Sequence, residues 1–423
     1  MTEPIRRRTI LAAAGATAAG LSLPGVAAQA AGRPKGTVRF TLDAEVLDGG
    51  EQITSVTLDA SRLGRIDPAS LTTGTFTVHA KASSPIPLAA GDLIFSEYDL
   101  DRPVTAARVN RRGDIVLDLA HGEGQVGGGT LGYIVSLGRN VQLDLTYTIT
   151  QNRPLSVRGR GRVTISGFEQ GELSSPEVDA FDYGISRSDM KYRLYSPDRG
   201  HGGKGRKRPL IVWLHGGGEG GALSKGYYDN ESTLRANRGA LGFATPEGQR
   251  IFGGAYVVAP QSPSYWIEDG PRFAPQIKEI IEEVARRHPI DRDRIHVVGC
   301  SNGGYMTLKM ISEYRDLFAS AVPICGVVQA FRPGGERLIT DAQLTKITTP
   351  TWLVTSKDDG TVAPEPNTVL ASQLIPDAEL TLYDEVVWNN YKFNGHWSWI
   401  YVARNDPRLR GTRIWQWMAS QRN

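Results

Sequence analysis

The pentapeptide Gly299-Cys300-Ser301-Asn302-Gly303 fits the pattern G-x-S-x-G. Glycine and serine are common, so the pattern gains weight only from its surroundings. An apolar run, Ile295–Val298, leads into it, and a helical pattern over roughly Gly303–Ser312 follows. A strand that turns sharply into a helix needs small residues on either side of the turn, and the strained turn leaves the serine oxygen exposed above the sheet. The plainer reading makes Ser301 the N-cap of a glycine-rich helix start. A serine hydroxyl is a poor nucleophile at neutral pH and needs a base beside it. Of the seven histidines only His396 follows Ser301, within Asn394-Gly395-His396-Trp397-Ser398. Imidazole titrates near neutrality, and the chain order nucleophile, acid, histidine that goes with this kind of turn selects the same residue. A carboxylate must then fix the imidazole tautomer and stabilise its cation. Asp358 and Asp359 both follow the predicted strand Thr351–Thr355, and composition does not choose between them.

A negatively charged intermediate would need a cradle. His215-Gly216-Gly217-Gly218-Glu219-Gly220-Gly221 directly follows the apolar run Leu210–Leu214. Without side chains, the backbone N–H groups of such a loop can approach a substrate oxygen closely. Gly217 and Gly218, together with the N–H of Asn302 after the nucleophile, are the candidate donors. The rival reading, a phosphate loop, lacks the Gly-Lys-Ser/Thr ending. Glu219 is expected to be a salt-bridge partner that holds the loop.

The elements that must position these groups are legible from hydrophobic period. From about Ser174 onward, strands and helices alternate. Leu210–Leu214 and Ala255–Ala259 are continuous apolar runs, as for strands buried on both faces. Ile277, Ile280, Ile281, Val284 and Ala285 recur at three- and four-residue spacing, which predicts a helix between Phe273 and Arg287. Further strands are predicted at Ile295–Val298, Ala321–Ile324 and Thr351–Thr355, giving a mostly parallel sheet covered by helices. Before this, from Thr37 to about Gln170, the period is two. Val38, Phe40, Leu42, Ala44 and Val46 share one face, and Val141, Leu143, Leu145, Tyr147 and Ile149 another. Six to eight strands over about 135 residues predict an antiparallel, immunoglobulin-like sandwich. Nothing in this stretch reads as catalytic; the glycine-rich 122–129 reads as a turn.

Composition excludes several classes. The 423 residues carry 48 Lys+Arg, 45 Asp+Glu and two cysteines, Cys300 and Cys325. Beyond residue 30 the balance is 45 basic against 44 acidic residues, which argues against nucleic acid as partner. Two cysteines are too few for a disulfide scaffold. Lys204-Gly205-Arg206-Lys207-Arg208 reads as a solvated loop. At the start, Arg6-Arg7-Arg8 precedes a short Ala-rich apolar stretch and Ala28-Gln29-Ala30, which resembles a twin-arginine export signal. The apolar stretch is interrupted by Gly15, Gly20 and Pro24 and is too short to span a bilayer. The expected organisation is a signal over 1–30, a β-sandwich over 32–172 and an α/β unit over 173–423.

Taken together, Ser301, Asp359, His396 and the Gly216–Gly218 loop resemble the α/β-hydrolase superfamily over roughly Ser174–Asn423. Leu214–Glu219, Ala259-Pro260-Gln261 and Gly395–Trp399 look most like esterases that carry an N-terminal immunoglobulin-like domain, near the prolyl-oligopeptidase-like and polyhydroxybutyrate-depolymerase-like branches. In related loops an apolar residue stands three positions after the acid, which aligns Val362 with Asp359. The resemblance implies an exported serine carboxylesterase for short acyl chains. Its substrate is a small-molecule or polymeric ester, and no metal or organic cofactor is implied. No membrane association is expected after signal removal. A homo-oligomer is left open, as is any bond between Cys300 and Cys325. The competing activities are a peptidase with the same triad and a polymer-targeted esterase whose β-domain binds polysaccharide or polyester.

Overall fold

The computed structural model describes residues 36–197, 205–330 and 335–423. The arginine-led segment 1–30 and Lys204 lie outside them. Eight strands form the sheet of the second unit, in the spatial order Phe181–Ile185, Lys191–Tyr195, Tyr256–Gln261, Arg208–Leu214, Ile290–Cys300, Ser320–Ile324, Trp352–Ser356 and Glu379–Tyr383. The first two pair antiparallel and Lys191–Tyr195 runs antiparallel to Tyr256–Gln261, whereas the remaining neighbours are parallel. The predicted central strands are all present. The antiparallel edge was not foreseen, because Phe181–Ile185 is largely exposed and lacks an apolar run.

Helices cover both faces. Gly270–Arg287 buries Phe273, Ile277, Ile280, Ile281 and Val284 against one side. Burial of each such side chain stabilises by roughly 1.5–3 kcal/mol. On the other side, Trp213, Phe243, Phe252, Trp352 and Trp415 close a second core. Asn302–Glu313 is buried along almost its whole length, as expected for a helix at the middle of the sheet.

Residues 37–174 are built of strands, with a single short 3₁₀ turn at Pro68–Ser70. A five-stranded and a three-stranded sheet enclose a separate apolar core that includes Phe40, Val56, Phe76, Val78, Leu117 and Tyr147. The pairing is not wholly antiparallel: Thr37–Leu47 runs parallel to Gly167–Ser174. Gly167–Ser174 belongs to this sheet and is followed by the short helix Pro176–Asp179. The expected long strand over 141–149 is broken at Leu143, because Arg139–Gln142 pairs with Leu131–Ile134 while Asp144–Gln151 pairs with Phe76–Ser83.

The two units are clasped by a hairpin. The strands Thr37–Leu47 and Gly50–Leu58 meet at a turn whose Val46 packs into the core of the α/β unit. Beside it the Arg235 Nη1 donates to Glu51 Oε2 at 2.6 Å, with the two side chains only 2% and 0% exposed. Arg404 grips Asp48 with two bonds of 2.8 and 2.9 Å. Glu51→Ala leaves the Arg235 guanidinium buried with only Glu231 to answer it. The expected loss is about 3 kcal/mol, the lower end for breaking a buried pair. It is measured as the shift in urea midpoint; a change below about 1 kcal/mol would remove this ion pair from the forces that join the units.

Candidate active site

Because the central strands are parallel, their carboxyl ends share one edge, and the candidate residues sit in the turns beyond them. Leu214 and Gly299 are in register, as are Cys300 and Ile324. Ser301 follows the strand Ile290–Cys300 in a left-handed conformation, φ 55° and ψ −114°. A non-glycine residue there is strained, and the strain is held by crowding. A Cβ on Gly299 would stand 2.4 Å from the Gly303 carbonyl oxygen, and one on Gly303 would stand 2.0 Å from that of Leu214. Both flanking positions therefore admit glycine alone, as the G-x-S-x-G pattern requires.

His396 lies in a buried 3₁₀ turn, Gly395–Trp397. Its Nδ1 is 2.8 Å from Asp359 Oδ2. The other oxygen of Asp359 accepts the N–H groups of Thr361 at 2.9 Å and Val362 at 2.8 Å. With only acceptors on the carboxylate, Nδ1 carries a proton, so the lone pair of the neutral ring is on Nε2. The carboxylate bonded to the histidine is thus Asp359. Asp358 is exposed and accepts the Ser356 hydroxyl at 2.8 Å, which makes it a turn residue. Cys325 Sγ donates to the His396 carbonyl oxygen at 3.3 Å, and the Trp399 ring stands edge-on to the imidazole at 5.6 Å. Burial opposes the imidazolium, but Cys325 and the Asp359 carboxylate outweigh it and hold the His396 pKa above the usual histidine range.

Ser301, Asn302, His396 and Gly216–Glu219 line one cavity of about 1280 Å³. No hydrogen bond joins the Ser301 hydroxyl to the imidazole among the described residues, which is common in a site without substrate. Gly217–Glu219 forms a 3₁₀ turn whose first N–H groups have no partner within it. Asn302 opens its helix, so its N–H has no intrahelical acceptor either. The residues that carry the three candidate donors, Gly217, Gly218 and Asn302, line the same cavity.

The loop is braced from both units. His215 Nε2 accepts the Ser262 N–H at 3.0 Å, so Nδ1 carries the proton it gives to the Gly216 carbonyl. Complete burial holds this imidazole neutral, with its pKa pushed down to about 3. Gln261 donates to the Glu219 carbonyl oxygen at 2.9 Å. From the β-unit, Arg139 Nε donates to the Gly221 carbonyl at 3.1 Å and its guanidinium lies 3.3 Å over the Tyr265 ring. The β-unit also supplies Phe95, Val126, Tyr133 and Asn140 to the cavity wall. Sequence reasoning missed this contribution because those residues carry no motif; the glycine-rich 122–129 stretch is part of the wall. Of the aromatic residues near the loop, Tyr265 lines the cavity, whereas Phe243, Phe252 and Trp266 are buried in the cores.

The expected ion pair of Glu219 is not formed among the described residues. The side chain is buried, and its Oε2 has no hydrogen-bond partner. Cys300 and Cys325 are free, buried thiols. Among the described residues one group offers metal-ligand atoms close together, Cys325, Asp359 and His396, all within 4.8 Å. Two of the three already bond to each other. No described helix is long and apolar enough to cross a membrane.

Comparison with known proteins agrees with this architecture. The model of the prolyl oligopeptidase family matches residues 268–336, which contain Ser301. Poly(3-hydroxyalkanoate) depolymerase C of Paucimonas lemoignei is 37% identical over 84 residues, covering 17% of this chain and 20% of that protein. The match thus spans about a fifth of the length of this curated relative. The crystal structure of a thermostable esterase superimposes with a TM-score of 0.72 at 24% identity, covering 91% of this chain and 99% of that one. The fold is that of the α/β-hydrolases. An all-β unit precedes it in the chain.

Burial pushes the Glu219 carboxyl up to about 7, and the N–H groups of Gly216 and Glu219 offset this only in part. A carboxyl whose pKa is higher folded than unfolded adds stability below its unfolded value, about 4.5, and loses it as pH rises toward 7. The difference corresponds to on the order of 3 kcal/mol. Glu219→Gln is therefore expected to gain on the wild type by about that amount between pH 4 and pH 8. Denaturant melts across that range check this; parallel profiles for the two proteins would contradict a carboxyl raised by burial.

Proposed function

We propose that this chain is an exported serine carboxylesterase, acting through an acyl-enzyme on esters with a short acyl group. The observation that carries the reading is the Asp359–His396 hydrogen bond of 2.8 Å, opening onto the same cavity as Ser301 on its strained turn. In this mechanism Ser301 Oγ attacks the ester carbonyl and His396 Nε2 takes its proton. Asp359 keeps the proton of Nδ1 in place and stabilises the imidazolium. The N–H groups of Gly217, Gly218 and Asn302 receive the developing oxyanion, each such donor being worth about 3–4 kcal/mol in the transition state. The imidazolium protonates the departing alcohol, and His396 then activates water to release the acid. No step calls on a cofactor.

Export rests on the sequence of residues 1–30 alone, and the immunoglobulin-like character of the β-unit on its two packed sheets. A peptidase reading is favoured by the family model over 268–336. A polymer-targeted reading is favoured by the local likeness to a poly(3-hydroxyalkanoate) depolymerase. We place both below the simple esterase because an ester is the easier acyl donor. Parallel assays on 4-nitrophenyl butyrate and aminoacyl-nitroanilides decide between ester and amide; faster amide turnover would replace the esterase reading.

Ser301→Ala and Asp359→Asn are expected to lower kcat/KM by about 10³-fold or more without unfolding the protein. Asp358→Asn is expected to change it less than threefold. Since the neutral imidazole is the active base, kcat/KM should rise with pH through a limb above about 6.5. Loss of activity in the Asp358 variant alone, or a limb at or below that pH, would contradict the assignment.

A further inference from the structure

The cavity is larger than a short acyl group needs, and its charge is one-sided. At about 1280 Å³ it exceeds the usual range for small-ligand sites, about 300–1,000 Å³. Part of its wall is exposed apolar surface that no core requires. Phe95 is 58% exposed, Val126 74% and Tyr133 37% on the β-unit, and Tyr391 is 38% exposed across the cleft. Side chains of this kind usually mark a surface that meets a ligand.

Six carboxylates line the same space, and no Lys or Arg is among its lining residues. Two of them are answered from behind, Asp48 by Arg404 and Glu51 by Arg235. Glu97 accepts the Ser84 N–H at 2.6 Å, and Glu123 accepts the Gly49 N–H at 3.2 Å. Glu219 is the buried carboxyl at the Gly216–Gly218 loop, its Oε2 without a partner, and Glu268 is exposed. A carboxylate brought into this cavity away from His396 meets like charge, and no Lys or Arg lines it to replace its lost hydration.

Resting on the esterase reading, we infer that the cavity selects esters whose non-reacting half is bulky, apolar and free of negative charge. The short acyl group sits at Ser301 and the bulk lies toward Phe95 and Tyr391. A quaternary ammonium on that half is tolerated, since aromatic faces and carboxylates both attract it.

The test compares four acetate esters on the full chain, with each rate divided by that of the uncatalysed ester. They are 4-nitrophenyl acetate, 1-naphthyl acetate, and the naphthyl ester carrying either a carboxylate or a trimethylammonium group. Turnover of 4-nitrophenyl acetate tests the esterase reading by itself. The expected kcat/KM for the neutral naphthyl ester is at least tenfold above that of the carboxylate ester, with the cationic ester no worse than the neutral one. The gap should narrow at least threefold in the Glu97→Gln/Glu268→Gln double variant and in 0.5 M NaCl, as screened charge requires. Phe95→Ala should raise KM for 1-naphthyl acetate at least fivefold more than for 4-nitrophenyl acetate. Equal turnover of the anionic and neutral esters, or an equal effect of Phe95→Ala on both acetates, would overturn the proposal even if the enzyme is an active esterase.

Discussion

The site depends on a steric constraint at one residue. Ser301 adopts φ 55° because the chain must leave the central strand Ile290–Cys300 and enter the helix Asn302–Glu313 within a single turn. Such a conformation costs a non-glycine residue on the order of 1–3 kcal/mol and persists only where its surroundings fix it. Here they do so from three sides. The Ser301 N–H is held by the Ile324 carbonyl at 2.8 Å, Gly303 packs against Leu214, and Gly304 lies against Gly326. The helix and the two neighbouring strands thus fix where a hydroxyl at 301 can stand, and the packing energy of two cores stands behind that placement.

Polar groups around the turn divide their labour. Asp359 spends one oxygen on two backbone N–H groups and the other on His396, so its position does not depend on the histidine. His215 looks similar in sequence but is buried neutral, with both ring nitrogens engaged by backbone. One imidazole therefore braces the loop, while the other is bonded to Asp359 and lines the cavity. Asp358 and Asp359 divide in the same manner. The first closes the turn beside Gly395, where a Cβ would meet the Asp358 carbonyl oxygen at 2.3 Å, and the second turns inward.

How much of this was legible in the sequence follows from the range of the interactions involved. The turn at Ser301, the glycine loop and the central strands are governed by local sterics and hydrophobic period, so they could be read directly. The choice between Asp358 and Asp359 needed a resemblance, because both stand in the same loop and differ only in which way the backbone turns. The antiparallel edge of the sheet was missed because Phe181–Ile185 alternates poorly and gains its order from Lys191–Tyr195. Least legible was the wall of the cavity. Phe95, Val126, Tyr133 and Asn140 lie well over a hundred residues from Ser301 and in unrelated strand or turn contexts, and only the docking of two units brings them to it.

That docking explains why the β-unit is more than an appendage in this fold. Its grip uses a buried arginine–glutamate pair, which yields little net stability against an apolar alternative because both groups lose their hydration. It does specify geometry, since a bidentate or multiply bonded guanidinium tolerates few orientations. Arg235 is bonded to Glu51 of the β-unit and to Glu231 of its own, and Arg139 reaches the other way to the Gly221 carbonyl and the Tyr265 ring. Two reciprocal arginines therefore fix the β-unit against the very loop whose Gly216–Glu219 line the cavity. Apolar docking alone would allow small sliding of one unit on the other, and the loop Gly216–Gly221 would slide with it. Under the proposed mechanism the donors of that loop must meet an oxyanion within a few tenths of an ångström and cannot accept that freedom, so orientation matters more there than net stability.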